Sequence, residues 1–218
     1  MERSEERAAA EAARRRFRRE QAAHRTAVQS IAICFGAALA GALFFSYVLA
    51  FMIATAGAAL AVARLGPKAF AQSLGSAPAP WDFALGIAGA GIGLAIGFAY
   101  VFVVTGAGSS ILQAEWTTPP LFAILTIAVL PAFLEEWTCR GALWTICRRV
   151  TGRGATLAIS AVLFGLLHAP MWGWAGVPSR ILLGFVFGAL RLRTGGLTAP
   201  ITAHLLNNFV AIGFLAAL

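Results

Sequence analysis

From Ala27 to Ala63 the chain contains no charged residue. As one α-helix that stretch would measure about 55 Å at 1.5 Å per residue, nearly twice the ~30 Å hydrocarbon core of a bilayer. Apolar runs of similar character recur along the 218 residues, of which 59% are hydrophobic and only 12% charged. Such runs belong to membrane-spanning helices and not to the core of a soluble domain. Outer-membrane barrels alternate with period two, and nothing here does so. The expected fold is therefore all-α, a polytopic transmembrane helical bundle of about 7 membrane segments.

Charge is concentrated at the start. Five of the nine acidic and eight of the 17 basic residues precede Ala27, leaving only Asp82, Glu115, Glu135 and Glu136 as later acids. Residues 1–26 read as a basic cytoplasmic tail, helical and topogenic, with contact between its arginines and anionic headgroups as a second reading. The net charge of +8 is not a nucleic-acid signal, because most other basic residues flank apolar segments. The stretch 27–63 is too long for one crossing and is expected to make two. Arg64, Lys68, Arg148, Arg149, Arg153, Arg191 and Arg193 then fall on the side of the N-terminus, as the positive-inside rule requires. The expected localisation is a multi-pass protein of the cytoplasmic (inner) membrane of a bacterium, N-terminus cytoplasmic. Leu65–Trp81 reads as a loop from its Gly and Pro breakers, and Phe83–Val104 as a span with a Gly89-x-x-x-Gly93-x-x-x-Gly97 packing face. Further helices are expected from Pro119-Pro120 to about Arg149 with a kink at Pro131, from Ala155 to His168, around Ile181–Leu190, and after Pro200. Cys34, Cys139 and Cys147 show neither a disulfide nor a zinc-knuckle spacing.

Against this background Glu135, Glu136 and Arg140 stand inside a long apolar segment. An ionised group at such depth costs roughly 2.5–3.5 kcal/mol on insertion scales, so it marks a functional site by default. Glu136 and Arg140 are spaced i, i+4 and can pair, while Glu135 points about 100° away and is left available. Taken alone, a buried structural ion pair with a spare glutamate accounts for the three equally well. Of the three histidines, His24 lies in the tail. Phe164 and His168 share a helical face, as do His204 and Asn208, with Asn207 close to it. Counted from the basic loop between them, Glu135 and His168 reach a similar depth, about 20 Å.

Glu135-Glu136-x-x-x-Arg140, Phe164-x-x-x-His168 and His204-x-x-x-Asn208, in that order, resemble the three motifs of the CPBP family, the CAAX proteases and bacteriocin-processing enzymes also called Abi. The resemblance covers roughly 119–218, which would be the catalytic core, with 27–118 as N-terminal transmembrane segments. It implies an intramembrane endopeptidase acting on a membrane-associated peptide or protein. By resemblance Glu135 activates water with the help of His168, His204 and Asn208 stabilise the oxyanion, and Arg140 holds Glu136. Whether Asn207 or Asn208 faces the cavity stays open. Neither a Ser-His-Asp set nor an HExxH motif is present.

Two histidines and two glutamates could also bind zinc, through Glu135, His168 and His204. The Arg140 guanidinium beside a ligand opposes a dication, and Asn208 is a poor zinc ligand, so no cofactor is expected to be required. Two other functions compete: a non-catalytic relative that serves as an immunity or partner-binding protein, and a small proton or cation transporter. The intact base, histidines and asparagine disfavour the first, and the lack of internal repeats disfavours the second.

Overall fold

The computed structural model describes residues 2–44, 47–105 and 124–216. Among these residues the chain is helical apart from short turns and one isolated pairing of Gly75 with Gly196. The basic tail and the first apolar segment form one uninterrupted helix, α1 (Glu2–Phe44). The tail is rich in Ala, Glu and Arg, all good helix formers, and no Gly or Pro occurs before Gly36 to break it. After it, α2 (Tyr47–Leu65) runs back antiparallel. Arg64 at its end donates to the Ser30 hydroxyl over 3.0 Å, and Gly57 abuts Cys34 so closely that a Cβ would meet the Cys34 Cβ at 2.2 Å. The long uncharged stretch is thus divided between two antiparallel helices.

The stretch expected to be a loop contains a helix, α3 (Pro67–Leu74). Gly66 and Pro67 are breakers for what precedes them, but proline at the first position is pre-organised for the helix that follows. The next helix, α4 (Pro80–Thr105), begins earlier than expected. Its first turn takes in Asp82, whose carboxylate accepts the Ala79 N–H at 2.9 Å. The expected Gly106–Thr118 loop and the Pro119-Pro120 helix start lie outside the described residues.

Residues 124–150 form one helix of changing pitch, α5. A π-helical stretch (Ile124–Val129) leads into an α segment (Leu130–Glu136), a second π stretch (Trp137–Leu143) and a final α segment (Trp144–Val150). Pro131, which has no N–H to continue the ladder, sits where the pitch changes from π to α. Such wide turns are rare and concentrate at functional sites. Here they flank Glu135 and Glu136 on both sides. Then follow α6 (Arg153–Leu167), α7 (Ala169–Thr194) and α8 (Thr198–Ala216), with α7 broken at Gly173 (φ 67°, ψ 171°).

Among the described residues three helical stretches are long and apolar enough to cross a membrane: α2, Pro80–Tyr100 of α4, and α7; α6 is a shorter apolar helix. The all-helical class agrees with expectation, while the count of about seven rests on shorter or mixed segments that length and composition do not single out.

Glycines set the packing of the second half. Gly89 lies against Leu190 and Gly93 against Leu183 and Asn207, whereas Gly97 faces open space, so the glycine face works at two of its three positions. Gly165 and Gly184 bring α6 and α7 together, the latter against the Ala161 backbone. At one end of the bundle the Gly195 carbonyl accepts from the Ser76 N–H (3.0 Å) and from Arg191 (2.6 Å). Arg191 also donates to Gln72 O and Leu74 O, and Arg149 to the Gln72 side chain, so the basic loops gather at that end. This clamp fixes where α8 begins, and with it the depth of His204.

Candidate active site

Four elements converge on the carboxylates of α5. Glu135 is 2% exposed, and Glu136 and Arg140 are not exposed at all. Arg140 donates through Nη1 to Glu136 Oε1 at 2.9 Å and through Nη2 to the Gly184 carbonyl at 2.9 Å. Its guanidinium lies over the Phe164 ring, 4.3 Å from the centroid, a cation–π contact strengthened by the absence of water. The expected i, i+4 pair is therefore present and held from three sides.

His204 enters from α8. Its Nδ1 is 2.9 Å from Glu136 Oε1, and its ring stacks on Phe187 at 5.0 Å. His168, at the end of α6, donates from Nδ1 to the Phe164 carbonyl over 2.7 Å. The carbonyl can only accept, so the His168 proton is fixed on Nδ1 and its Nε2 carries a lone pair when the ring is neutral. The carboxylate of Glu136 imposes the same requirement on His204 Nδ1. Both Nε2 atoms point at one atom, Glu135 Oε2, from 3.4 Å for His168 and 3.9 Å for His204. That oxygen is buried and makes no hydrogen bond.

The other oxygen, Glu135 Oε1, accepts a hydrogen bond from the Tyr47 hydroxyl. Tyr47 Oη is also 3.4 Å from His168 Nε2, and its ring packs 5.2 Å from the imidazole. The sequence reading missed this residue. Its signal was there: Tyr47 and Tyr100 are the chain's two tyrosines, and Tyr47 interrupts the long apolar stretch. A buried Tyr O–H needs a partner, and a carboxylate across the bundle supplies it.

The geometry adds two relations that helix spacing does not give. His204 lies between the two glutamates, its Nε2 3.9 Å from Glu135 Oε2 and its Nδ1 2.9 Å from Glu136 Oε1. Asn208 makes no bond to the histidines; its amide N–H donates to the Ala128 carbonyl in the first π stretch over 3.2 Å. Asn207 donates to Ala203 O one turn back on its own helix and faces α4 at Gly93. Asn208 is thus the asparagine turned toward α5, with one amide hydrogen left over.

As arranged here, Glu135, His168 and His204 do not form a metal-holding group, and no set of three His, Cys, Asp or Glu does so among the described residues. Glu136 Oε1 is already shared by Arg140 and His204.

A cavity of about 520 Å³ lined by Gln72, Trp144, Thr145, Arg148, Arg149 and Arg191 lies toward the basic end, beyond these carboxylates. No curated protein and no solved structure matches the chain significantly. Residues 116–210, which carry all six expected site residues but not Tyr47, match the family model described as Rce1-like, type II CAAX prenyl endopeptidase. It is this segment, less than half of the chain, that is similar to the type II CAAX prenyl endopeptidases.

Proposed function

We propose that the protein is an intramembrane endopeptidase that hydrolyses a peptide bond of a membrane-associated protein or peptide with a glutamate-activated water and no metal. The observation that carries this reading is the convergence of two imidazole Nε2 atoms on the unbonded Oε2 of Glu135, while Tyr47 occupies Oε1. A buried carboxylate oxygen facing a ring lone pair lacks a proton donor between them. A water there supplies one hydrogen to Glu135 Oε2 and one to His168 Nε2, leaving its own lone pair for the scissile carbonyl. Glu135 takes the proton as the C–O bond forms and returns it to the leaving amine as the C–N bond breaks.

The oxyanion is assigned to His204 and Asn208. For His204 to donate from Nε2 while Nδ1–H is held by Glu136, the ring must carry both protons. Glu136 then serves as its counter-ion, and Glu135, Glu136, Arg140 and the His204 imidazolium sum to zero charge. The free amide hydrogen of Asn208, one turn on, is the second donor. Preorganised donors in a water-poor site are worth about 10²–10³ in rate each.

The test uses the purified full chain in lipid vesicles with a quenched fluorescent prenylated CAAX peptide, treated with a strong chelator and checked for metal by mass spectrometry. Cleavage that persists without metal is expected. Failure to cleave such anchored peptides would sink the protease reading. Stoichiometric zinc, whose removal stops turnover and whose return restores it, would make Glu135, His168 and His204 its ligands instead.

The gathering of Arg149, Arg191 and the residue 72–76 turn at one end of the bundle supports a cytoplasmic placement for residues 64–82, 148–154 and 191–196, with the N-terminus. A cysteine placed at Thr151 should react with membrane-impermeant reagents only from the cytoplasmic face. Labelling from the other side would reverse the topology.

A further inference from the structure

The cavity of about 520 Å³ at the basic end takes no part in the mechanism above. Trp144, Thr145, Arg148 and Arg149 line it from the last segment of α5, Gln72 from α3 and Arg191 from the last turn of α7. On α5 the spacing does this, because Trp144 and Arg148, and Thr145 and Arg149, are i, i+4 neighbours on adjoining stripes of the helix. Arginines in a last helical turn complement the helix dipole, which accounts for each of them singly. It does not account for three guanidiniums around one cavity with no carboxylate in its wall. Among the described residues none of the three forms an ion pair with Asp or Glu. Arg191 is buried and donates to the Gln72, Leu74 and Gly195 carbonyls, which satisfy its N–H groups but leave its charge unneutralised. Arg149 donates to Gln72 Oε1 over 3.2 Å, so the Gln72 amide hydrogens stay available. Arg148 and Thr145 have no side-chain hydrogen-bond or ion-pair partner among the described residues. The groups left over in the wall are therefore N–H and O–H donors, most of them on cations. Such a wall fits an anion.

We propose that this cavity binds a phosphate ester, the headgroup phosphate of an anionic phospholipid. The inference stands apart from the endopeptidase reading and asks nothing of Glu135. Position favours a lipid. Gln72 lies between the end of α2 at Leu65 and the start of α4 at Pro80, and Arg191 lies within one turn of the end of α7 at Thr194. The cavity is thus at the level where candidate spans end, which in a bilayer is the headgroup layer. Apolar surface adjoins it: α3 exposes Phe70 and Leu74, one turn apart, and Val150 is exposed beside Arg149. Acyl chains can cover such surface, and a soluble phosphate cannot. The arginine fork matches phosphate oxygens bidentately, and its charge does not titrate away. Sites of roughly 300–1,000 Å³ hold whole small molecules, so there is room for a complete headgroup. A phosphate held here bridges α3, α5 and α7 and offsets the mutual repulsion of three guanidiniums. It should therefore stabilise the folded protein by mass action.

The purified full chain in neutral detergent can be titrated with phosphatidylglycerol, with phosphatidylcholine of the same acyl chains, and with inorganic phosphate at fixed ionic strength. Thermal unfolding and native mass spectrometry are the readouts. Phosphatidylglycerol is expected to raise the unfolding temperature saturably and to stay bound as one molecule per chain, while phosphatidylcholine does neither. Arg148→Gln breaks no contact within the protein and should leave the lipid-free unfolding temperature unchanged. It should weaken phosphatidylglycerol binding by about tenfold or more, the effect of losing a charged hydrogen-bond donor. Arg14→Gln combined with Arg18→Gln removes more charge from the tail and should leave binding as it is. Equal retention of the two lipids by the wild type overturns the proposal, and that comparison needs no variant. Equal weakening by the tail substitutions also overturns it, because the attraction is then general and not sited in the cavity. If inorganic phosphate stabilises the wild type as well as the lipid does, and loses that effect in Arg148→Gln, the lipid occupant is overturned in favour of a soluble phosphate.

Discussion

Glu135→Gln is expected to lower peptide cleavage by about 10²–10⁴-fold, the usual contribution of a positioned general base, while leaving the fold intact. The amide has the same shape, still accepts from the Tyr47 hydroxyl at its oxygen, and removes a buried negative charge with no ion-pair partner of its own beyond the histidines. What it cannot do is take a proton from water. Cleavage in vesicles, with thermal unfolding in detergent as the control for folding, separates the two effects. Tyr47→Phe should act more weakly, by roughly 10- to 100-fold, the range set by losing one hydrogen bond to a charged group. The tyrosine does not exchange protons with the substrate; it holds Oε1 so that Oε2 faces the histidines. An unfolded Glu135→Gln protein, or one that cleaves at the wild-type rate, would remove Glu135 from the role of base.

Arg140→Leu is expected to cost about 3–5 kcal/mol of stability, because removing one partner of a buried pair leaves the other charge uncompensated. Glu136 and Arg140 are both fully excluded from solvent, and Arg140 also satisfies the Gly184 carbonyl and covers Phe164. The protein should accumulate poorly and unfold at markedly lower temperature. Glu136→Gln should be destabilising for the converse reason, although glutamine still offers an oxygen to His204 Nδ1. Combining the two substitutions should be less costly than their sum, since no lone charge remains. Normal accumulation and wild-type cleavage by Arg140→Leu would show that the pair is not what holds α5 in place.

The linear sequence determined the all-helical class of the fold and most residues of the candidate site. Uncharged stretches too long for a soluble core required membrane helices, and Glu135, Glu136, Arg140, His168, His204 and Asn208 were conspicuous because polar groups are rare and costly in such surroundings. The spacing of Glu136 and Arg140 was enough to pair them, since i, i+4 neighbours meet on any regular helix. Local breakers were less informative: Gly66-Pro67 ended one helix but also opened another, α3.

What the sequence could not supply was anything that depends on which helices are neighbours. The tertiary structure alone placed Tyr47, 88 residues away in the chain, against Glu135, set His204 between the two carboxylates, and turned Asn208 toward Ala128. The cause is physical. A side chain's direction follows from local helix geometry, but its partner follows from how helices pack. Here that packing is set by glycine contacts such as Gly184 on Ala161 and by the Arg191 clamp that fixes the start of α8. The π stretches around Glu135 and Glu136 were likewise hidden, because no sequence periodicity distinguishes a widened turn from a regular one over six or seven residues.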